Sequence, residues 1–341
     1  MRIDSSAPTR IDLAGATFDI WPLYLYHARA LTLNVAISLR AHCCLQPRPA
    51  GGLAICSKDT DRAIDVAHWS QLDDLVELGL VGRILRFFEV DGLSITTHSD
   101  SPVGAGIAGS SALDIAVCGA LDRWTGGARS DDELLALAMN VEAQAIGVPT
   151  GVQDYRPALY GGVAAVELGV DRIRRVALDV DVDALNRRLV VAFTGASRNS
   201  GLNNWEITKR HIDGDRGVFD AFERIRDEAL AIRRALLDGD WAEVARGVDA
   251  EWTHRKRLAP GVTTPAIDDL IARARSAGAA AAKVCGAGGG GCLFCLAPPD
   301  ATHAVRAALA DGGARLLDCH VEPRGLVVEV HGERHRRPAA E

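Results

Sequence analysis

The sequence predicts an α+β protein, and three observations predict it. Residues 31–39, LTLNVAISL, place apolar side chains at every second position, Leu31, Leu33, Val35, Ile37 and Leu39, the period of a half-buried strand. Strand-like and helix-like runs then follow in clusters rather than in strict βαβ alternation. Finally, 341 residues with 48% hydrophobic content can bury a sizeable core, in one large or two modest domains.

Taken in order, further strands are expected at 9–14, 53–57, 92–98, 161–168, 172–178, 188–194, 280–285, 292–297, 314–321 and 325–331, from short apolar runs bounded by turn residues. Helices are expected at 72–90, 109–123, 131–146, 216–238, 240–257, 264–277 and 300–311. The helix at 131–146 has the clearest boundaries: Ser130 and Glu133 make a capping box, and Gly147, Pro149 and Gly151 forbid continuation. The weakest seam is LDVDVDALNRR at 178–188, which divides the chain into parts 1–180 and 181–331, and the tail 332–341 reads as disordered.

Charge and cysteine usage narrow the function classes. A net charge of −7 argues against nucleic acid, because binding a phosphate backbone needs a concentrated basic surface. No run approaches 18 apolar residues and the N-terminus lacks a signal-peptide core, so no membrane is expected and the cytoplasm is the expected compartment. The eight cysteines follow neither a disulfide nor a zinc pattern; Cys292 and Cys295 lie three apart on an expected strand and so face opposite sides.

Residues 102–113, PVGAGIAGSSAL, satisfy G-x-G-x-x-G through Gly104, Gly106 and Gly109, but two hydroxyls follow at Ser110 and Ser111. A dinucleotide fold would need a second strand ending in an acid after the loop helix, and here a second helix follows instead. No Gly-Lys-Ser/Thr is present, which sets the Walker loop aside. What remains suits a nucleotide's phosphates: glycines let backbone N–H groups approach an anion at a helix start, and a hydroxyl can reach phosphate or Mg2+. A plain glycine turn is the simpler alternative.

Two acids follow. Glu142 falls inside the apolar arc of the helix at 131–146, where a carboxylate needs a partner, either a cation or a structural salt bridge. Asp154 follows twelve residues later, past the Gly/Pro break, where a surface turn residue is the bland reading. With Ser111 they offer separable roles: Ser111 and Glu142 on Mg2+, Asp154 facing an acceptor hydroxyl. A second glycine cluster, KVCGAGGGGCLFCL at 283–296, holds more glycines than turning requires, so close approach to a ligand or another loop is expected, the phosphate loop being the nearest candidate.

These segments, together with APTRIDLAGATFDIWP at 7–22, resemble in order and spacing the three motifs of the GHMP small-molecule kinase superfamily. The resemblance covers nearly the whole chain. It implies a two-subdomain fold with the active site in the cleft between subdomains, and an ATP-dependent kinase acting on a small alcohol. ATP would be held by Pro102, Gly104, Gly106, Ala108, Gly109, Ser110, Ser111 and Ala112, with Gly288 and Gly289 of the second cluster, and Mg2+ by Ser111 and Glu142. Asp154 would be the catalytic acid/base, with Arg10 beside it stabilising transition-state charge.

The loop length, Cys285 and the run from Gln153 to Gly162 are most similar to sugar and heptose-7-phosphate kinases, which implies a sugar or sugar-phosphate substrate. Asp19 would then hold substrate hydroxyls and Trp21 stack on a sugar face, with Gly161 and Arg198 also at the substrate; Arg198, Trp205, Lys209 and Arg210 would close over it. A kinase of a non-sugar alcohol and a non-catalytic nucleotide or sugar sensor on the same fold are the alternatives. Ala16 and Ile107-Ala108 depart from the family's usual residues, and the phosphate loop is one residue longer than its shortest form.

Overall fold

The computed structural model describes residues 1–15, 17–74, 79–196 and 200–332. Beyond Gly332, the expected tail lies outside the described residues, as do Ala16 and Arg198.

A long ribbon of β1 (Arg2–Ala14) and β2 (Leu31–Pro47) organises the molecule. The register between them shifts at Pro8/Thr9, where proline cannot supply a ladder N–H. Along its later half β2 pairs with β5 (Leu93–Ser99), and β5 with β3 (Leu53–Ser57), which pairs with β4 (Arg62–Val66). Along its first half β2 pairs instead with β6 (Val163–Leu168), which pairs with β7 (Ile173–Ala177). A second, four-stranded antiparallel sheet has the order β11 (Arg315–Leu317), β8 (Leu189–Phe193), β10 (Cys292–Leu296), β9 (Ala281–Val284).

Helices α1 (Gly79–Phe88), α2 (Gly109–Thr125), α3 (Asp131–Ile146) and the short α4 (Tyr155–Tyr160) cover one face of the first sheet, burying Leu45, Ile95, Ile115 and Leu137 in a shared core. Short α5 (Val182–Asn186) leads into the second sheet. Helices α6 (Ser200–Ile212), α7 (Arg216–Asp238), α8 (Trp241–Arg255), α9 (Pro265–Ser276) and α10 (Thr302–Asp311) accompany that sheet. α3 starts as its sequence predicts: Ser130 caps Glu133, Glu133 reaches back to the Ser130 N–H, and Gly147 closes the helix in the left-handed region. The last strand, β12 (Val327–His331), returns to pair with β1, so residues grouped by sequence with the C-terminal part complete the first sheet.

Several elements differ from expectation. β1 begins at Arg2 and β2 runs to Pro47, because their outer halves gain partners in β12 and β5. β4, α4 and α6 were not among the expected elements, and of the helix expected at 72–90 the described residues form the end of a 3-10 turn at Trp69–Asp74 and then α1 at Gly79–Phe88. Cys292 and Cys295 do face opposite sides of β10 and enter different apolar clusters, neither of them in a disulfide.

Candidate active site

Between the start of α2, the segment after β1 and the loop before β10 lies a cavity of about 370 Å³. Seven of the ten residues expected to hold nucleotide line it: Pro102, Gly104, Gly106, Ala108, Gly109, Ser110 and Ser111. The loop they form is pinned from behind. Arg10 N–H donates to the Ile107 carbonyl (3.0 Å), the Arg10 guanidinium to the Gly106 carbonyl (3.1 Å), and Cys292 N–H to the Ala105 carbonyl (2.6 Å). Ala108, at the N-cap of α2, takes φ 60°, ψ 36°, a left-handed conformation that glycine adopts more easily.

Three expected nucleotide contacts are corrected. Ala112 is fully buried in the core beneath the loop, and its N–H is spent on the Ala108 carbonyl. Gly288 and Gly289 turn away: a Cβ on Gly288 would strike the Val262 backbone, and Gly289 N–H donates to the Val262 carbonyl. The approach of the second glycine cluster to the phosphate loop is made by Gly291, whose added Cβ would lie 2.5 Å from the Ala105 carbonyl oxygen, while Gly286 and Ala287 line the cleft.

Asp154 stands at the start of α4, with Arg10 donating to its Oδ1 from Nε (2.9 Å) and Nη2 (2.5 Å). Arg10 is buried and Asp154 is 29% exposed, so the pair presents its carboxylate to the cleft. Burial alone would lower the Arg10 pKa, but the carboxylates of Asp154 and Asp12 outweigh it and hold the guanidinium above its ordinary value. Asp19 is buried beside them, accepting from Gln153 N–H at 2.9 Å. Its own carboxyl is pushed up to about 7, first by burial and then by the neighbouring Asp154 charge.

Ser111 and Glu142 meet as expected: Ser111 Oγ donates to Glu142 Oε2 at 2.8 Å, and Tyr155 OH donates to the same oxygen at 2.6 Å. Burial raises the Glu142 pKa against these hydrogen bonds. A buried carboxylate and a hydroxyl at the cleft wall form a hard-oxygen set of the kind Mg2+ takes.

Of the expected substrate residues, Asp19 lines the cleft and two do not. Trp21 is 67% exposed and outside the cavity wall. Gly161 serves the fold: a Cβ there would collide with the returning segment at Pro323 and Arg324. Arg198 lies outside the described residues. Lys209 pairs with Asp213 and Arg210 with Asp215, while Trp205 is exposed; from the same helix Asn204 does line the cleft.

Sequence reasoning missed the charge network beneath the site. Asp12, fully buried, accepts from Gly286 N–H (2.6 Å) and Lys283 Nζ (3.2 Å), and lies 3.3 Å from Arg255 and 3.7 Å from Arg10. Lys283 also donates to Glu251 at 2.7 Å, and Arg255 donates to the Gly286 carbonyl. Burial works against the Asp12 charge, and Lys283, Arg255 and Arg10 overcome it to lower its pKa. The network ties β1, α8 and the second glycine loop to one another directly behind Arg10. Lys283, one of only four lysines, was the available signal.

Family models match both halves: GHMP kinases N terminal domain over residues 77–162 and GHMP kinases C terminal over 232–315. The chain is 28% identical over 318 residues to D-glycero-alpha-D-manno-heptose 7-phosphate kinase of Campylobacter jejuni, covering 90% of this chain and 93% of that protein. It is 27% identical to a mevalonate kinase of Thermococcus onnurineus over 96% of this chain and 99% of that one. Among solved structures, a D-glycero-D-manno-heptose 1-phosphate kinase from Bacteriodes thetaiotaomicron superposes with a TM-score of 0.77 at 26% identity, over 97% of this chain and 100% of that one. With both domain models in order and the phosphate loop, Arg10–Asp154 pair and Ser111–Glu142 pair around one cleft, the chain belongs to the GHMP kinase family.

Proposed function

We propose that this protein is an ATP-dependent kinase that phosphorylates a hydroxyl of a sugar phosphate of the heptose 7-phosphate class. The observation that carries the reading is Asp154, held by Arg10 and open to a cleft that the glycine loop also lines. Backbone N–H groups at the start of α2 would receive the ATP phosphates. Asp154 Oδ would accept or orient the proton of the acceptor hydroxyl, and Arg10 would stabilise charge on the transferring group. Ser111 and Glu142 would hold Mg2+, which supplies charge neutralisation on the phosphates when bound. Transfer then forms the bond from sugar oxygen to γ-phosphorus and breaks that phosphorus's bond to the bridging oxygen of ADP.

Asp19 favours a polyol over a carboxylic acid as acceptor. Asp154 and Asp19 side by side offer hydrogen-bonding groups to hydroxyls, and the Asp154 carboxylate, which already pushes the Asp19 carboxyl up, disfavours a further carboxylate such as mevalonate's. The test is ADP release with heptoses, hexoses, their phosphates and mevalonate as acceptors, followed by NMR of the product. Turnover on a heptose or hexose phosphate is expected. Turnover on mevalonate alone would overturn the substrate class, and ATP binding with no ADP from any acceptor would favour a sensor.

A further inference from the structure

Two buried imidazoles meet edge to edge between the segment that follows β1 and helix α6. His27 follows the 3-10 turn Leu23–Tyr26, and His211 lies in the last turn of α6. Their Nε2 atoms are 2.8 Å apart. The ring centroids stand 5.0 Å apart, close to the largest separation that such a contact allows, so the two nitrogens point at each other. On its other side, His27 Nδ1 lies 2.5 Å from Glu223 Oε1 on α7. Phe18, Phe219 and Phe222 pack against His27, and Tyr26, Phe219 and Phe222 against His211.

We propose that the His27–His211 contact is a proton-sensitive latch that positions the acceptor side of the cleft; its role at the cleft rests on the kinase reading above, and the latch itself does not. The segment leading to His27 carries Asp19 and Ile20, and α6 carries Asn204, all three at the cleft wall. His211 comes seven residues after Asn204, about two turns, and so lies on the same face of α6. The two elements meet again at the cleft, where Thr17 Oγ1 is 3.5 Å from Asn204 Oδ1.

The network fixes where the protons sit. Facing the Glu223 carboxylate, His27 carries its proton on Nδ1, so its Nε2 accepts and His211 Nε2 donates. His211 Nδ1 is then a lone pair buried without a partner among the described residues. A further proton has two places to go. On His211 Nδ1 it makes a buried N–H with no acceptor; on His27 Nε2 it faces the His211 N–H across 2.8 Å. Parting the rings relieves either cost. Burial is the first cause that holds both rings below the ordinary histidine value of 6.5, opposed at His27 by Glu223 and reinforced there by Arg226, and reinforced at His211 by His27. Arg226 is itself paired with Glu223 and Asp227, Tyr26 is the other titratable group against His211, and Lys209 and Arg210 beside it on α6 are paired with Asp213 and Asp215. The latch is therefore fully closed above the ordinary histidine value and is weakened as the pH falls below it.

The test reads backbone hydrogen exchange of the full-length protein, with neither ATP nor acceptor, at about pH 7.5 and pH 5, corrected for the intrinsic exchange rate. Protection over 23–27 and 204–212 should fall at least ~10-fold in acid relative to α9, because each histidine freed well below its ordinary pKa favours the open state by about that factor. In His211→Gln the amide can donate to His27 Nε2 or, flipped, accept from it, so the contact survives either protonation state and most of the acid loss should vanish. His27→Gln is the second variant, and melting at neutral pH checks that each is folded. No acid loss in wild type, or an equal loss in both variants, would overturn the latch. With a heptose 7-phosphate as acceptor, the ratio of wild-type to His211→Gln KM should rise in acid while the same ratio for ATP stays constant. A constant acceptor ratio would overturn the link to the cleft, whereas absence of turnover would count against the kinase reading and leave the latch to the exchange result.

Discussion

Arg10 Nη2 lies 2.5 Å from Oδ1 of Asp154, a contact between residues 144 positions apart that joins the first strand to the helix start after the Gly/Pro break. Because Arg10 is buried and its own backbone N–H holds the phosphate loop at Ile107, one residue sets both the loop and the carboxylate. Asp154→Asn keeps the size of the side chain while removing its charge. We expect kcat to fall roughly 10²- to 10⁴-fold, the usual range for losing general acid–base help. ATP affinity should change little, since the proposed phosphate contacts come from the loop and not from this side chain. Near wild-type turnover on the true acceptor would refute the role.

Ser111→Ala removes one oxygen ligand from the proposed Mg2+ pair, and Glu142→Gln removes the negative charge of the other. Half-saturating Mg2+ for turnover should rise by about 10-fold in either variant, on the scale of a lost ligand or its supporting partner. Stability should move by about 1 kcal/mol for Ser111→Ala, which loses one hydrogen bond, and by about 1–3 kcal/mol for Glu142→Gln, whose carboxylate accepts from both Ser111 and Tyr155. Unchanged metal dependence in both would move the Mg2+ site elsewhere.

Lys283→Met tests the buried network. The lysine is fully buried between Asp12 and Glu251, so its loss leaves two carboxylates sharing Arg255 in a dry interior. Removing one partner of a buried pair typically costs about 3–5 kcal/mol, and Arg255 should keep the loss near the lower end. A urea midpoint unchanged from wild type would show that the network is not needed for the fold.

The cleft was legible in the sequence where a motif carries its own chemistry. Glu142 stood out as an acid in an apolar arc, and the structure joins it to Ser111. Tyr155, which donates to that same carboxylate, follows Asp154 in sequence but has no periodic signature of its own. Asp12, Glu251, Arg255 and Lys283 were illegible for a different reason: their meaning comes from pairings across up to 271 positions, and periodicity shows which face is apolar but not which faces meet. The glycine count at 286–291 correctly implied close approach, but not that Gly288 and Gly289 approach Val262 while Gly291 takes the phosphate loop. Trp21 was read as a sugar platform from residue type alone, and its side chain is largely exposed outside the cavity wall.

Asp19 should make stability fall as pH rises. Its folded pKa of about 7 lies above the ordinary aspartate value of 3.8, so between those pH values the folded chain keeps a proton that the unfolded chain has lost. This contribution is fully present below the unfolded pKa and is lost as pH rises through about 7. Over that window it removes up to about 1.4 kcal/mol per pH unit. Asp19→Asn cannot ionise and can still accept from Gln153 N–H, so its stability relative to wild type should increase between pH 5 and about pH 7 and then level. Parallel pH profiles for the two proteins would place the ionisation elsewhere.

Ala108→Gly should stabilise the protein. Ala108 sits at φ 60° at the start of α2 and makes no side-chain capping bond, so its methyl group gives the helix nothing in return for a left-handed backbone. That conformation costs an L-residue roughly 1–2 kcal/mol. Glycine removes the clash but adds freedom to the unfolded chain, which returns about 0.4–1 kcal/mol. The net gain should lie between about 0 and 1.6 kcal/mol, read as a higher urea midpoint at unchanged slope. The KM for ATP should stay close to wild type, because the loop remains tied through the Gly106, Ile107 and Ala105 carbonyls, none of which involves the Ala108 side chain. A loss of stability would mean that residue 108 is not left-handed in solution, and that the longer phosphate loop accommodates alanine by another path.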